Sequence, residues 1–324
     1  MNIVKPSARE MWNYDPQKHI EAIGRICYKS EDKITEVSNQ KFITDLRERK
    51  HWAMLEHYRF ILNLPYHFWQ KLREIDEAMT HSYMRFTEDG ASADHLLVSA
   101  SARGFMEAQE YVEANCGHYG LVYDHLVAIL AVQKHIVGEM ACPQLFNQVG
   151  CVQPRFEIWG RDAEILTDHE RMVHGWHSVL FTCDRGVTHE LVRHRPVSFA
   201  QESTRYCNYS LGKFGNAISV IDPCFWDKDT ELYGLWEKAM RYDEEMYMQM
   251  LHAGATPQQV RTILPQSTKA DIVLTTTNDE WKHILDLRYT QTTGPAHPQM
   301  VEVVTMMVDG CDWAKELAGD AKND

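Results

Sequence analysis

Two β-rich runs, each closed by a helix-starting signal, constrain the fold of this chain more than any other feature. Ser178-Val179-Leu180-Phe181-Thr182-Cys183 is dense in strand-favouring residues and stops at the turn-prone Asp184-Arg185-Gly186, with a helix expected from about Val187. Ile272-Val273-Leu274-Thr275-Thr276 is equally β-branched, and Asn278-Asp279-Glu280 then supplies a cap and an acidic first turn for a helix reaching Arg288. The backbone must accommodate a strand that runs directly into a helix at both places.

The remaining elements follow from periodicity and punctuation. Residues 10 to 60 read as helical with a break at Asp32–Thr35, and Tyr58–Pro65 as a short strand with Phe60, Leu62 and Leu64 on one face. Residues from Pro65 to about Gly175 read as mostly helical. Ile218–Ile221 predicts a strand stopped by Asp222-Pro223. Glu231–His252 predicts a long helix whose apolar face carries Leu232, Leu235, Trp236, Ala239 and Met246, broken at Gly254. Thr256-Pro257 opens a short helix that Pro265 ends, and a single last helix is expected from His297 to Leu317 with a frayed tail. No tandem repeat or Gly/Ser linker stands out, although Ser99–Ala108 faintly echoes residues 276–285.

With 324 residues, 44% hydrophobic content and a formal net charge of -13, the chain has material for one large domain or two smaller ones. The acidic balance argues against a nucleic-acid partner held by bulk electrostatics, so any anion site has to be local. No apolar run reaches bilayer length and Met1–Pro6 lacks a signal-peptide core, which predicts a cytoplasmic protein without a membrane span. Eight cysteines without a Cys-x-x-Cys pair suit reduced thiols, and seventeen histidines without His-Glu-x-x-His suggest no metal site. The absence of Gly-x-Gly-x-x-Gly and Gly-x-x-x-x-Gly-Lys-Ser/Thr argues against a Rossmann site and a P-loop.

The chemistry concentrates in Arg193-His194-Arg195-Pro196-Val197-Ser198-Phe199-Ala200-Gln201-Glu202-Ser203-Thr204-Arg205-Tyr206. Clustered guanidinium forks in an acidic protein face anions, and arginines alternating along an extended or turning backbone point in opposite directions. Such splayed arginines suit a site between two ligands or between two subunits.

Arg-His-Arg, seven residues, then Ser resembles the motif of flavin-dependent thymidylate synthases, and here it is Arg193-His194-Arg195 followed by Ser203. Asp184-Arg185-Gly186 and His189-Glu190 precede it, and Thr204–Tyr209 follows. His51 with Glu56-His57, Arg261–Pro265, and Trp281 through Arg288 recur in the family's order, so the resemblance covers roughly residues 20–60 and 178–305. It implies a mixed α/β (α+β) fold in one catalytic chain, with 1–60 and 176–318 as the family-like core and 61–175 as a mostly helical insertion. It implies a homotetramer with FAD at subunit interfaces, converting dUMP to dTMP with methylenetetrahydrofolate as carbon donor and NADPH as reductant. Because a flavin carries the redox step, the protein's task is to place ligands and stabilise charge.

Carried over residue by residue, His51, Arg193, His194, Arg195, Gln201, Asn278 and His283 match cofactor positions. Glu190, Arg193, Gln201, Ser203, Thr204, Arg205 and Arg261 match the dUMP site, and Arg288 matches the arginine at the uracil edge, where a guanidinium favours electron density on the pyrimidine carbonyls. Arg288 could equally serve the terminal carbonyls of its helix.

Three positions depart from the pattern: Ala53 stands where a hydroxyl is common, and Thr277 and Asp279 where Asn and Arg are usual. An anion at 279 near a cofactor phosphate is unfavourable unless contacts have shifted. These departures motivate an alternative, a non-catalytic nucleotide- or RNA-binding relative. A second alternative is a cysteine-nucleophile enzyme using Cys207, with Arg205 supplying the electropositive surroundings a thiolate needs.

Overall fold

The computed structural model describes residues 1–64, 66–79, 84–88, 96–115, 157–159, 161, 166–205, 207–212 and 215–319. In chain order these form β1 (Asn2–Val4), β2 (Ser7–Met11), α1 (Pro16–Tyr28), α2 (Ser38–Glu48), β3 (Arg59–Asn63), α3 (Tyr66–Ala78), β4 (Arg85–Glu88), β5 (Leu96–Ser101), α4 (Ala102–Asn115) and β6 (Glu157–Trp159). They continue as α5 (Asp168–His174), β7 (Trp176–Asp184), α6 (Arg185–Leu191), β8 (Ser198–Gln201), β9 (Ser219–Ile221), α7 (Glu231–His252), α8 (Pro257–Val260), β10 (Lys269–Thr277), α9 (Asn278–Arg288), α10 (Pro298–Gly310) and α11 (Asp312–Ala318). Single 3-10 turns at Glu31–Lys33, Trp52–His57 and Arg261–Ile263 complete the described chain.

The fold is mixed α/β, with two four-stranded sheets in the orders β2-β7-β10-β8 and β4-β5-β3-β6, and a parallel pair of β1 and β9. Both strand-into-helix junctions form, although the N-cap of α9 is Thr277 and the expected cap Asn278 is its first helical residue. Asp184 caps α6 through Oδ1, which accepts from Val187 N at 2.7 Å, and Asp279 and Glu280 occupy the first turn of α9. Val179, Phe181, Ile272 and Leu274 bury one face of the first sheet against Trp281, Ile284, Met300, Val304 and Met307 from α9 and α10. Leu180, Ala200 and Val273 bury the other face against Ile23 and Ile26 of α1. Alternating faces of a strand covered on both sides explain why these runs are apolar throughout.

Several expectations are corrected. Residues 10–60 begin with a strand, because Ser7–Met11 pairs along β7 from Ser7 opposite Thr182 to Met11 opposite Ser178. The described part of 61–175 is mostly helical in α3, α4 and α5, but it also carries strands that the sequence reading did not foresee: β4, β5 and β6 pair with β3 into a sheet whose inner face carries Phe60, Leu62, Val98 and Ala100. The expected last helix is two, interrupted at Cys311. On α7, Leu232 and Leu235 are 55% and 57% exposed, while Tyr233 and Tyr247 are buried and Trp236 is the member of the predicted stripe that packs against the core, so the core-facing side is rotated from that stripe. Tyr206 and the tail beyond Gly319 lie outside the described residues. No helix among the described residues is long and apolar enough to cross a membrane.

The reading that the chain has no repeat is also corrected. In the first sheet the chain runs β7, α6, β8, β10, α9; in the second it runs β3, α3, β4, β5, α4, with the third strand inserted between the first and second in both. The registers superpose: Thr275 lies opposite Ser198 and Ser178, and Ser99 lies opposite Arg85 and Ile61. Asn278 N donates to Gly175 O at 2.9 Å, and at the matching place Ala102 N donates to Tyr58 O at 2.9 Å. Counted from these bonds, Trp281 corresponds to Phe105, Leu274 to Val98 and Ile284 to Ala108, all fully buried. Few identities survive between the copies, which is why the sequence shows only the echo at Ser99–Ala108.

Candidate functional site

The junctions described above bring three pieces of chain together at the C-terminal end of α6. Glu190 projects from the last turn of α6, His194 from the loop that follows it, and Glu280, His283 and Arg288 from α9. Arg288 Nη1 donates to Glu190 Oε2 at 3.0 Å and Arg288 Nε donates to His194 Nε2 at 3.3 Å. Arg288 is thus held by side chains of the arginine segment, not by the carbonyls ending its own helix.

A guanidinium has no lone pair to offer, so the His194 Nε2 facing Arg288 must be the unprotonated, accepting nitrogen. The electrostatics agree. Burial first, then the Arg288 and His283 charges, push the His194 pKa down to about 4, leaving a neutral imidazole. Glu280 moves the other way: burial, reinforced by Asp279 and opposed by Arg85, raises its carboxyl to about 7. The ligand atoms of His194, Glu280 and His283 lie within 4.8 Å of one another, a cluster able to hold a metal ion that the sequence reading did not foresee.

Arg193, Arg195, Arg205 and Arg261 are exposed while His194 and Thr204 are buried. The Arg195 guanidinium donates to Val192 O at 2.5 Å and His194 O at 2.8 Å, the carbonyls left open beyond α6. Gln201 Nε2 donates to Thr188 Oγ1 at 3.1 Å, and Ser203 N donates to Cys27 O at 3.1 Å, which fixes both ends of the stretch between them to rigid elements. Asn278 Nδ2 donates to Arg171 O at 3.0 Å. His51 is exposed, with Nδ1 3.3 Å from Tyr28 Oη beyond the end of α1.

The Asp279 anion does not stand unpaired. Its Oδ2 accepts from Arg85 and its Oδ1 from Thr277 Oγ1 at 2.5 Å, so the two departures at 277 and 279 bond to each other and to a cation from the other sheet. Cys207 does not suit nucleophilic work: it is 1% exposed and its Sγ donates to Glu202 Oε1 at 3.4 Å, an acidic neighbour where a thiolate needs a basic one.

Sequence reasoning missed a buried ionic cluster beneath the segment. Lys29 pairs with Asp271 and, at 3.3 Å, with Glu202; Lys269 pairs with Glu202 at 3.1 Å and with Asp271 at 2.5 Å; Thr182 Oγ1 donates to Asp271 Oδ1 at 2.7 Å. Burial alone would depress the Lys29 ammonium, but Glu202 and Asp271 outweigh it and raise its pKa, while the two lysines outweigh burial to lower Asp271. The available signal was Lys269-x-Asp271, two charges on one face of a strand otherwise apolar.

Residues 172–312 match the family model described as Thy1, thymidylate synthase complementing protein. Curated relatives described as flavin-dependent thymidylate synthase include one from Pyrococcus abyssi, 39% identical over 106 residues, covering 33% of this chain and 43% of that protein. One from Pyrococcus horikoshii is 33% identical over 135 residues, covering 42% of this chain and 54% of that protein. The chain thus spans about half the length of the curated relatives it matches. A crystal structure of a UMP/dUMP methylase from Streptomyces cacaoi bound with 5-Br UMP overlaps 47% of this chain and 74% of that one, at 22% identity and a TM-score of 0.38. The resemblance read from the arginine segment is borne out over the matched region.

Proposed function

We propose that this chain is a flavin-dependent thymidylate synthase, methylating dUMP to dTMP with FAD, methylenetetrahydrofolate as carbon donor and NADPH as reductant. The observation that carries this reading is the joining of Arg288 to Glu190 and His194, which sets a fixed guanidinium beside the exposed arginines of the 193–205 segment.

The donor set fits a flavin dinucleotide. Arg193 and Arg195 present exposed cations for a diphosphate, the neutral His194 offers a ring contact without added charge, His283 presents a second ring beside it, and pairing with Arg85 removes the electrostatic objection to Asp279. His51, Gln201 and Asn278 complete the residues assigned to the cofactor. When bound, the flavin supplies the hydride chemistry. The protein's own residues do the placing. Arg205 and Arg261 are exposed cations suited to a nucleotide phosphate, with Ser203, Thr204 and Gln201 as neutral donors around it. Arg288, oriented by Glu190, stabilises negative charge on the pyrimidine carbonyls. Glu190 also lowers the cost of holding that guanidinium in a part-buried place.

The exposed Leu232, Leu235 and Tyr242 on α7 support self-association, consistent with a homotetramer whose sites lie between subunits. A soluble cytoplasmic enzyme with no nucleic-acid partner agrees with the composition. An absorbance spectrum of the purified protein tests the reading: flavin bands that bleach with NADPH, together with tritium release from C5-labelled dUMP, are expected. Binding of dUMP with no flavin band after reconstitution would favour the non-catalytic nucleotide binder instead.

A further inference from the structure

In the second copy of the fold, built on β7, β8 and β10, the sheet face turned toward α1 changes character within one row of residues. Leu180, Val273 and Ala200 lie side by side there and are apolar, whereas the next row is Thr182, Asp271 and Glu202. Ladder pairing of β8 with β10 ends at Gln201 opposite Ile272, and Glu202 N, donating to Asp271 O at 2.8 Å, carries the chain one residue further. Two carboxylates thus stand opposite each other, which by itself is repulsive. Lys29, at the end of α1, and Lys269, at the start of β10, each pair with both carboxylates, so the four charges cancel where the Glu202 side chain is only 3% exposed.

Such a cluster is a poor source of stability, because desolvating four charges offsets most of what their attraction supplies. What it does supply is discrimination between registers. From Gln201 to Arg205 burial alternates: Glu202 and Thr204 are buried, while Gln201, Ser203 and Arg205 stay accessible. Sliding this stretch by one residue would turn Gln201 or Ser203 toward the lysines and Glu202 away from them, leaving two ammoniums against one carboxylate. Only the observed register keeps the cluster neutral. The same register is closed by Ser203 N donating to Cys27 O at 3.1 Å, two residues before Lys29, and by Cys207, whose Sγ donates to Glu202 Oε1 at 3.4 Å and whose N donates to Ser203 O at 3.2 Å.

We propose that Glu202 is a positioning residue: locked between Lys29 and Lys269, it sets the register in which Gln201, Ser203 and Arg205 face outward to a nucleoside monophosphate. The inference rests on the reading of those three residues as dUMP ligands. Glu202 acts through its neighbours, its own carboxylate being engaged by the lysines and by Cys207. A segment held in its binding conformation beforehand has less freedom to lose when the nucleotide arrives.

The double variant Glu202→Leu/Lys29→Met removes one charge of each sign and leaves Lys269 paired with Asp271 at 2.5 Å. It should melt at or above the temperature of the parent, since apolar replacement of a buried ion pair is neutral or stabilising. Amide hydrogen exchange at Glu202 and Ser203 of the ligand-free chain should nonetheless speed up, while amides of β7 and β10 keep their parent rates. KM for dUMP should rise about tenfold or more at little-changed kcat, the pattern of lost uniform binding. Lys29→Arg, which keeps the charge, should keep both the exchange rates and KM. If the double variant does not fold, Glu202→Gln, with the same shape and no charge, is read by the same criteria. Parent exchange rates at Glu202 and Ser203, a speed-up shared equally by β7 and β10, or an unchanged KM for dUMP each overturns the proposal. Local speed-up in a chain that neither binds dUMP nor shows a flavin band keeps the register role of Glu202 and loses the thymidylate synthase reading.

Discussion

His57 Nδ1 lies 2.7 Å from Thr275 Oγ1, reaching from the first copy of the fold onto the central strand of the second. The same contact recurs in reverse, with His174 Nδ1 2.8 Å from Ser99 Oγ. His57 corresponds to His174 and Thr275 to Ser99, so the two copies clasp each other by one reciprocal device. Both histidines are fully buried, and the network continues from Thr275 to Ser178 at 2.7 Å and from Ser178 to His19 at 3.2 Å.

Removing one partner from this clasp leaves a buried polar atom unsatisfied. Thr275→Val and Ser99→Ala are each expected to lower unfolding stability by about 1–3 kcal/mol, read from urea denaturation. If both variants unfold at the urea midpoint of the parent protein, the clasp is not what joins the copies.

Stability should fall steeply with acid. Burial, followed by nearby positive groups, lowers His57 and His174 to about 3, and burial lowers His19 to about 4. Their ordinary value is 6.5. The unfolded chain therefore takes up protons that the folded one refuses, so stability is full above about pH 6.5 and drains as pH falls toward the folded values, by ~1.4 kcal/mol per pH unit for each histidine. Melting temperatures measured from pH 8 to 4.5 should decline below 6.5; a flat profile there contradicts the buried, neutral assignment.

Gly175 sits where no side chain fits. A Cβ there would lie 2.4 Å from Arg171 O and 2.6 Å from Asn278 Nδ2, at the bond that seats α9 on the sheet. Gly175→Ala should destabilise by about 1–3 kcal/mol, because backbone must move to relieve the overlap. Calorimetric melting gives the test, with Gly234→Ala, which meets nothing within 4 Å, as the neutral comparison.

Arg288→Gln should keep the helix but remove the charge that Glu190 orients. On the proposed reaction, kcat/KM for dUMP falls about 100-fold or more while the flavin spectrum is retained. Activity near that of the parent would remove Arg288 from the mechanism.

The two strand-helix junctions, the cap at Thr256 and the arginine segment were legible in the sequence because each rests on local signals: β-branching, turn chemistry, a run of neighbouring cations. Ser7–Met11 was not, since a strand this short is defined by its partner β7 and carries no period of its own. The first copy's sheet was not legible because β4, β5 and β6 are short and are defined by their pairing with β3. Leu232 and Leu235 kept helical spacing, but spacing cannot say which side of a helix meets the core of its own chain.

The amino-acid sequence by itself determined where backbone changes from strand to helix and where cations gather, because both depend on residues within a turn or two of each other. Only the tertiary structure decided that Lys29, Lys269, Glu202 and Asp271 meet in one cluster, that Asp279 is neutralised by Arg85, and that two dissimilar halves repeat one topology. Those are long-range juxtapositions. They follow from pairing register and from which elements pack on each sheet, and no pattern read along a single stretch of chain encodes them.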